Sequence, residues 1–218
     1  MGGLSFDGVV FDADGTLFDT ENLMYEVWVE VGEEMNFPYP GREYLDYVGL
    51  NRAAVLALMK ERYGKAFDGA DFMVRCVDRL SRRIEEEGVP LKPGVREILI
   101  FLRERNIPVG LATSTHRVRT QRRLELCGLT DCFQAVTTGD EVSKGKPDPE
   151  IYLTTCEKLG LDPTRCLAVE DSKNGILSAR AAGMSVAMIP DMIPPSETLL
   201  AQIWNRFDSL TDLQNRLK

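Results

Sequence analysis

Acidic residues follow two short apolar segments of the sequence. Asp12 and Asp14 come directly after the segment Phe6–Phe11, and Glu170 and Asp171 follow a later apolar segment. Carboxylates that meet at one place repel one another unless a cation neutralises them, and oxygen ligands select a hard cation such as Mg2+. Beside such an ion, one aspartate can attack phosphorus while another protonates the leaving oxygen. These residue types therefore predict phosphoryl transfer at a magnesium site.

Hydroxyl groups and a lysine follow other segments and suit the same chemistry. Thr113, Ser114 and Thr115 come after the second apolar segment, and Lys146 lies in a loop that leads into a helix. A hydroxyl and an ammonium can hold phosphoryl oxygens and offset the charge of a loose transition state. Gly15 permits the tight turn that brings backbone amides close to a phosphate.

Apolar segments alternate with amphipathic ones along most of the chain. The predicted strands are Phe6–Phe11, Pro108–Ala112, Gln134–Val136, Leu167–Val169 and Val186–Ile189. The predicted helices between them are Gly94–Arg105, Val118–Cys127, Pro149–Leu159 and Asn174–Ala182. This alternation predicts a parallel sheet covered on both faces. Because ligands bind at the carboxyl ends of such strands, the acids, hydroxyls and lysine should converge on one rim.

The stretch from Thr20 to about Gly88 breaks this alternation, because only helical patterns occur there. They are Glu21–Glu34, Gly41–Val48, Arg52–Tyr63 and Asp71–Glu87. We predict an α/β fold with a Rossmann-like parallel sheet core, residues 1–20 and 89–218, and an inserted all-α cap domain, residues 21–88. The C-terminal Pro194–Lys218 should pack on the core as a short helix and a last turn. The aromatic residues predicted to form the core of the insert are Tyr25, Trp28, Phe37, Tyr39, Tyr44 and Tyr47.

Composition excludes several classes of function. The net charge of −8 argues against nucleic acid as a partner, because counterion release needs a basic face. Five cysteines without a CxxC pair predict reduced thiols in a cytoplasmic protein, and we expect neither a signal peptide nor a membrane span. The single histidine, His116, argues against a multi-histidine metal site. The nearest basic cluster is predicted to be a solvated helix face: Arg117, Arg119, Arg122 and Arg123.

Four segments of the sequence resemble the motifs of the haloacid dehalogenase superfamily, in the family's order. They are FDADGTLFDT (Phe11–Thr20), LATST (Leu111–Thr115), KGKPDPEIY (Lys144–Tyr152) and VEDSKNGILSARAAGM (Val169–Met184). The insert resembles the family's helical cap, and the best match is the branch that contains beta-phosphoglucomutase and sugar-phosphate phosphatases. The resemblance implies a Mg2+-dependent phosphohydrolase that forms an aspartyl phosphate. Its substrate would be a small phosphorylated metabolite, with a sugar phosphate as the leading candidate and a nucleotide or another small phosphate ester behind it.

The resemblance also implies a role for each matching residue. Asp12 would be the nucleophile and Asp14 the general acid and base. Thr113 would bind the phosphoryl group, and Lys146 would stabilise its charge. The implied metal ligands are Asp12, the carbonyl of Asp14, Asp171 and, as a second acidic contact, Glu170. The candidate substrate contacts are Arg52, Ser114, Thr115, His116 and Arg117.

Four alternatives differ in what they require of these residues. A dehalogenase or a phosphonate hydrolase would not need Asp14, and an inactive binding module would be expected to have lost one of the motif residues. A beta-phosphoglucomutase-type phosphomutase shares the whole core set. That mutase carries a cap histidine just after the Asp-Thr that ends the first motif, whereas Asp19-Thr20 is followed here by residues 21–25 without a histidine. This difference favours hydrolysis, and we expect the protein to be a monomer.

Overall fold

The computed structural model describes residues 6–37, 41–48, 50, 52–64 and 67–218. The chain forms two compact units: Met1–Asp19 together with Val89–Lys218, and Thr20–Gly88. We call the first unit the core and the second the helical unit.

Within the described residues, the core contains one sheet of six parallel strands. In chain order the strands are β1 (Gly8–Phe11), β2 (Val109–Thr113), β3 (Ala135–Thr138), β4 (Cys166–Glu170), β5 (Ser185–Met188) and β6 (Asn205–Arg206). Their order across the sheet is β3-β2-β1-β4-β5-β6. Every residue of β1, β2 and β4 is buried, as expected for a sheet covered on both faces. The predicted α/β fold with a parallel sheet is confirmed.

Helices follow the strands in the core and make up the regular structure of the helical unit. In chain order the helices are α1 (Thr20–Glu34), α2 (Arg52–Tyr63), α3 (Gly69–Glu87), α4 (Val95–Glu104), α5 (Arg117–Cys127), α6 (Glu150–Leu159), α7 (Lys173–Ala181), α8 (Glu197–Leu200) and α9 (Leu210–Leu217). In the described part of the chain, none of the helices has the length and apolar character needed to cross a membrane.

The direction of strand order reverses between β1 and β4, which lie side by side at the centre of the sheet. Phe11 pairs with Val169, and the Asp12 amide donates to the Val169 carbonyl at 2.9 Å. Asp12 and Glu170 therefore emerge next to each other at the carboxyl ends of two adjacent strands. In open α/β sheets this is the position at which ligands bind.

Backbone hydrogen bonds join the segment that precedes the helical unit to the segment that follows it. The Asp19 amide donates to the Pro90 carbonyl at 2.8 Å, and the Lys92 amide donates to the Leu17 carbonyl at 2.9 Å. Phe18 and Leu91 form an antiparallel bridge between these two bonds. The two ends of the inserted segment, residues 20–88, are thus held next to each other by hydrogen bonds within the core.

The helical unit differs from prediction at Gly41–Val48, where only a 3-10 turn, Tyr44–Asp46, is present. Three residues per turn place Tyr44 and Tyr47 on one side of this segment. Both rings are buried against Trp28, with ring centroids 5.3 and 5.1 Å from that of the indole. Packing of two tyrosines three residues apart thus accounts for the tighter turn.

Aromatic side chains form much of the core of the helical unit, as predicted. Trp28, Phe37 and Phe72 are buried, and the Trp28 and Phe72 ring centroids lie 4.7 Å apart. Tyr25 is an exception, because its position near the surface leaves it 37% exposed while its ring edge contacts Tyr44. Tyr39 lies outside the described residues.

Candidate active site

Asp12 lies at the end of β1, with its carboxylate against Lys146. The Lys146 Nζ donates to Asp12 Oδ1 at 2.5 Å, to Glu170 Oε1 at 2.6 Å and to the Ala112 carbonyl at 3.1 Å. Burial raises the pKa of Asp12 to about 8; Lys146 opposes this shift and Glu170 adds to it. Although burial opposes the charge of the ammonium, Asp12 and Glu170 together raise the pKa of Lys146 above its ordinary value. This arrangement binds a charged lysine directly to the predicted nucleophile.

The loop that carries Lys146 is fixed by Glu150 at the start of α6. The Glu150 carboxylate accepts hydrogen bonds from the Ser143 amide at 2.8 Å, the Ser143 hydroxyl at 2.7 Å and the Lys144 amide at 2.9 Å. Further along, the Ser178 hydroxyl donates to the Asp148 carbonyl at 2.6 Å. These bonds hold both sides of the loop, so the lysine extends from a well-supported turn.

Glu170, at the end of β4, is completely buried and hydrogen-bonded at both oxygens. Its Oε1 accepts from Lys146 and, at 2.7 Å, from the Tyr152 hydroxyl. Its Oε2 accepts from the Asp171 amide at 3.2 Å and from the Ser172 hydroxyl at 3.0 Å. Gly175 is required beside it, because a Cβ there would collide with the carboxylate. With these donors in place, Glu170 acts in the structure as an anchor for Lys146 and Tyr152.

Of the two neighbouring acids Glu170 and Asp171, the Asp171 carboxylate accepts fewer hydrogen bonds from the described residues. Its Oδ1 accepts from the Thr16 hydroxyl at 3.1 Å, whereas its Oδ2 lies over Gly15. Gly15 has φ +85°, and a Cβ at this position would come within 2.5 Å of that oxygen. Burial, with the charges of Glu170 and Asp12, raises the pKa of Asp171 well above its ordinary value. The Asp171 carboxylate is therefore unfavourable in its ionised form unless a further cation is bound.

These carboxylates form a group that fits a metal ion. One oxygen each from Asp12, Glu170 and Asp171 lie within 4.8 Å of one another. When all three are ionised, these carboxylates exceed the positive charge of Lys146, the ammonium that the described residues place against Asp12 and Glu170. An all-oxygen donor set of this kind suits a hard divalent cation. The residues that could hold a metal ion are thus brought together by the ends of β1 and β4.

The Asp14 carboxylate lies beside the second motif. Its Oδ2 accepts a hydrogen bond from the Thr115 hydroxyl at 2.7 Å. The Thr113 Oγ1 in turn accepts from the Thr115 amide at 3.1 Å, and Thr113 is buried. Because the Thr113 oxygen accepts this bond, its own hydrogen is available to donate elsewhere. The structure therefore links the predicted acid–base residue and the predicted phosphoryl-binding hydroxyl through one threonine.

Arg123 of α5 also binds Asp14, and the sequence interpretation did not anticipate this contact. The guanidinium Nη1 donates to Asp14 Oδ1, and the arginine side chain is only 12% exposed. The predicted solvated helix face is therefore wrong at this position. Thr120, Leu124 and Cys127 are the buried residues of α5, and Arg123 lies three residues after Thr120, on the same side of the helix. That spacing was the signal that could have set Arg123 apart from its neighbours.

The remaining candidate substrate contacts are more exposed. The Arg117 guanidinium binds Glu141 and the Val136 carbonyl on the edge strand β3, so the structure does not bring it to the acid cluster. His116 precedes α5 with a 76% exposed side chain, 3.9 Å from Asp140. Ser114 is exposed near the end of β2, and Arg52 is exposed at the start of α2 in the helical unit. Their role as substrate contacts stays a prediction.

A further carboxylate, that of Asp191, lies close to Gly15. Lys92 Nζ donates to Asp191 Oδ1 at 2.5 Å and lies 2.9 Å from Asp19 Oδ1. Within the described part of the chain, Asp191 Oδ2 is buried with no hydrogen-bond partner, and it lies 3.2 Å from the point that a Gly15 Cβ would occupy. This oxygen adds to the negative charge around the Gly15 turn, where Asp171 Oδ2 also lies.

Comparison with known proteins identifies the family of the chain. The model of the haloacid dehalogenase-like hydrolase family matches residues 6–183. A phosphorylated carbohydrates phosphatase from Thermotoga maritima is 35% identical over 178 residues, which is 82% of each chain. Hexitol phosphatase B from Escherichia coli is 31% identical, with 94% of this chain and 92% of that protein covered.

A solved structure gives the same result for the fold. An HAD family hydrolase from Deinococcus radiodurans, with bound phosphate and sodium, is 26% identical and superimposes with a TM-score of 0.81. The match covers 96% of this chain and 94% of that one. The resemblance predicted from the four motifs is confirmed, and the chain belongs to the haloacid dehalogenase-like hydrolases.

Proposed function

We propose that the protein is a phosphatase that hydrolyses the phosphate ester of a small metabolite. The observation that carries this proposal is the Lys146 ammonium bound to the Asp12 carboxylate inside a group of acids at the ends of β1 and β4. A nucleophilic carboxylate, a fixed positive charge and a place for a cation are what phosphoryl transfer needs. The named activities of the two phosphatase relatives support the same reaction class.

The reaction proceeds in two steps at phosphorus. In the first, an Asp12 oxygen bonds to phosphorus, the ester P–O bond breaks, and Asp14 gives a proton to the leaving oxygen. In the second, water bonds to phosphorus and gives its proton to Asp14, and the bond to Asp12 breaks with its electron pair returning to that carboxylate. Lys146 and the Thr113 hydroxyl bind phosphoryl oxygens in both steps. Inorganic phosphate and an alcohol are the products.

We further propose Mg2+ as the cation, with Asp12 and Asp171 as its side-chain ligands and the Asp14 carbonyl as a third ligand. When bound, the ion neutralises the carboxylates and polarises the phosphoryl oxygens. Glu170 is better placed to support the site through Lys146, because both of its oxygens already accept protein hydrogen bonds.

Two isosteric substitutions separate these roles. Asp171→Asn should raise the Kd for Mg2+ by more than about tenfold, because it removes a charged ligand. Glu170→Gln should affect Mg2+ binding less and should lower the melting temperature more, since it disturbs a fully buried anchor. Calorimetric titration with Mg2+ and thermal unfolding of the metal-free proteins measure the two effects. A larger loss of Mg2+ affinity in Glu170→Gln would show that the assignment of ligand and anchor is reversed.

The substrate class proposed is a sugar phosphate, with the helical unit as the cap and Arg52 as one of its substrate contacts. The two relatives are named for phosphorylated carbohydrates and hexitols, which supports this class. The experiment is a phosphate-release assay over a panel of sugar phosphates, nucleotides and other small phosphate esters, with Mg2+ and with a chelator. Failure to release phosphate from any of them in the presence of Mg2+ would contradict the proposed function.

A phosphomutase would use the same core residues, and its products distinguish it. Met24 stands where the mutase pattern supplies a histidine, and a thioether cannot transfer a proton. With beta-glucose 1-phosphate and a trace of the 1,6-bisphosphate, we therefore expect inorganic phosphate to accumulate. Rapid formation of glucose 6-phosphate with little free phosphate would instead establish the mutase. A monomeric state and a cytoplasmic location stay predictions.

A further inference from the structure

The four arginines of α5 do not share one environment. Arg117, Arg119 and Arg122 are exposed, whereas Arg123 is half-buried and its guanidinium is bound to Asp14. An arginine that is partly removed from water and bound to a carboxylate forms a stronger and better oriented contact than an exposed pair. Arg123 is thus the arginine of this helix that contacts a predicted catalytic group.

Two donors from the core orient the Asp14 carboxylate. Arg123 Nη1 donates to Oδ1 and the Thr115 hydroxyl donates to Oδ2 at 2.7 Å. The Thr115 backbone is itself fixed, because its amide donates to Thr113 Oγ1 and its carbonyl accepts from the Gly139 amide at 3.1 Å. A planar guanidinium and a fixed hydroxyl on opposite oxygens define the plane of the carboxylate as well as its position. Both Asp14 oxygens are thereby held as hydrogen-bond acceptors.

The support for Arg123 is a rigid element. Helix α5 begins two residues after Thr115, and Thr120, Leu124 and Cys127 anchor it in the core. Groups on such elements keep the geometry of a site more closely than groups on loops. A side chain extending from this face can therefore hold Asp14 in one place throughout a reaction cycle.

We propose that Arg123 is a positioning residue for the second step of the proposed reaction, on which this inference rests. It holds the Asp14 carboxylate as the acceptor of the proton from the attacking water. In that step the water oxygen bonds to phosphorus, its proton passes to Asp14, and the bond between phosphorus and the Asp12 oxygen breaks. Asp14 is the group that reacts with water, and Arg123 acts through it.

The test separates formation of the phosphoenzyme from its hydrolysis. With p-nitrophenyl phosphate the leaving group departs without protonation, so kcat/KM reports attack by Asp12 and does not require Asp14 as an acid. Arg123→Met should leave this kcat/KM within about twofold of the wild-type value. The same variant should hydrolyse the phosphoenzyme about 10- to 100-fold more slowly, because a well-positioned base contributes a factor of this order or more. Rapid-quench measurement of acid-stable phosphoenzyme should show a higher steady-state level and a slower decay than in the wild type.

Two matched variants complete the experiment. Arg119→Met changes an exposed arginine of the same helix. The phosphoenzyme of this variant should decay at the wild-type rate. Arg123→Lys keeps a cationic donor and should recover part of the lost rate. If Arg123→Met lowered kcat and kcat/KM equally without accumulating phosphoenzyme, or changed neither of them, the inference would be overturned. If the wild type itself formed no phosphoenzyme and released no phosphate from any ester, the proposed function would be the one to fail.

Discussion

Replacing Asp12 with asparagine is expected to abolish phosphate release while leaving the fold intact. An amide oxygen can still accept the hydrogen bond from Lys146, but an amide cannot serve as the attacking group. Removal of a nucleophile lowers kcat by on the order of 10⁴-fold or more. Release of inorganic phosphate measures the loss, and circular dichroism with thermal unfolding measures the fold.

The covalent intermediate provides a second measurement on the same variant. Wild-type protein incubated with substrate should carry a phosphoryl group on Asp12 that survives acid quenching, and Asp12→Asn should not. Asp208→Asn is the matched control, because Asp208 is an exposed aspartate whose side chain is 80% accessible. Substantial turnover by purified Asp12→Asn would rule out attack by this residue.

Replacing Lys146 with methionine should lower both activity and stability. The ammonium is the side-chain cation that contacts the buried Asp12 and Glu170 carboxylates, and breaking such buried pairs costs about 3 to 5 kcal/mol of the free energy of unfolding. Loss of a fixed charge beside the phosphoryl group should lower kcat by about 10²-fold or more. Urea unfolding of the metal-free protein and phosphate release in Mg2+ measure the two effects.

The loss of stability should depend on pH in a defined direction. In the folded wild type the pKa of Asp12 is raised from 3.8 to about 8, so its ionisation weakens the fold as pH rises through this range. Because Lys146 lowers the pKa of Asp12, its removal should raise this pKa further. The difference in unfolding free energy between wild type and Lys146→Met should therefore be smaller near pH 5 than above pH 8.

The lysine itself contributes a further pH dependence. Its pKa is raised in the folded state, so its contribution is complete below its unfolded pKa of 10.5 and is lost only at higher pH. Lys144→Met is the control, since Lys144 lies in the same loop with a 74% exposed side chain. A stability loss in Lys146→Met that is the same at pH 5 and pH 9 would contradict the electrostatic explanation.

Residues at the ends of strands could be located from sequence, because parallel strands bring their carboxyl ends to one rim. Asp12, Thr113, Glu170 and Asp171 each lie at or just after the end of a strand, and the predicted core strands coincide with β1 to β5 within about two residues at their ends. The strand β6 was not predicted, since two residues carry no alternating pattern. Local sequence therefore locates the longer strands of the core, and topology brings their ends together.

Contacts that depend on side-chain reach were beyond the sequence pattern. Arg123 follows Asp14 by 109 positions, and no local rule connects a helix residue to a carboxylate at that separation. Tyr152 ends the third motif, yet its hydrogen bond to Glu170 depends on the angle at which α6 packs on the sheet. The need for Gly175 likewise appears only when the Glu170 side chain is placed. Three-dimensional packing, which periodicity does not encode, determines all three.

The hydrogen-bonded junction at Asp19 and Pro90 has a consequence for how such enzymes diversify. The Asp19–Pro90 and Leu17–Lys92 bonds hold the two ends of residues 20–88 next to each other within the core. The entropic cost of bringing the ends of an inserted segment together grows only slowly with the length of the segment. We therefore expect that segments of another length can replace residues 20–88, during evolution or by transplantation, while these two bonds are kept.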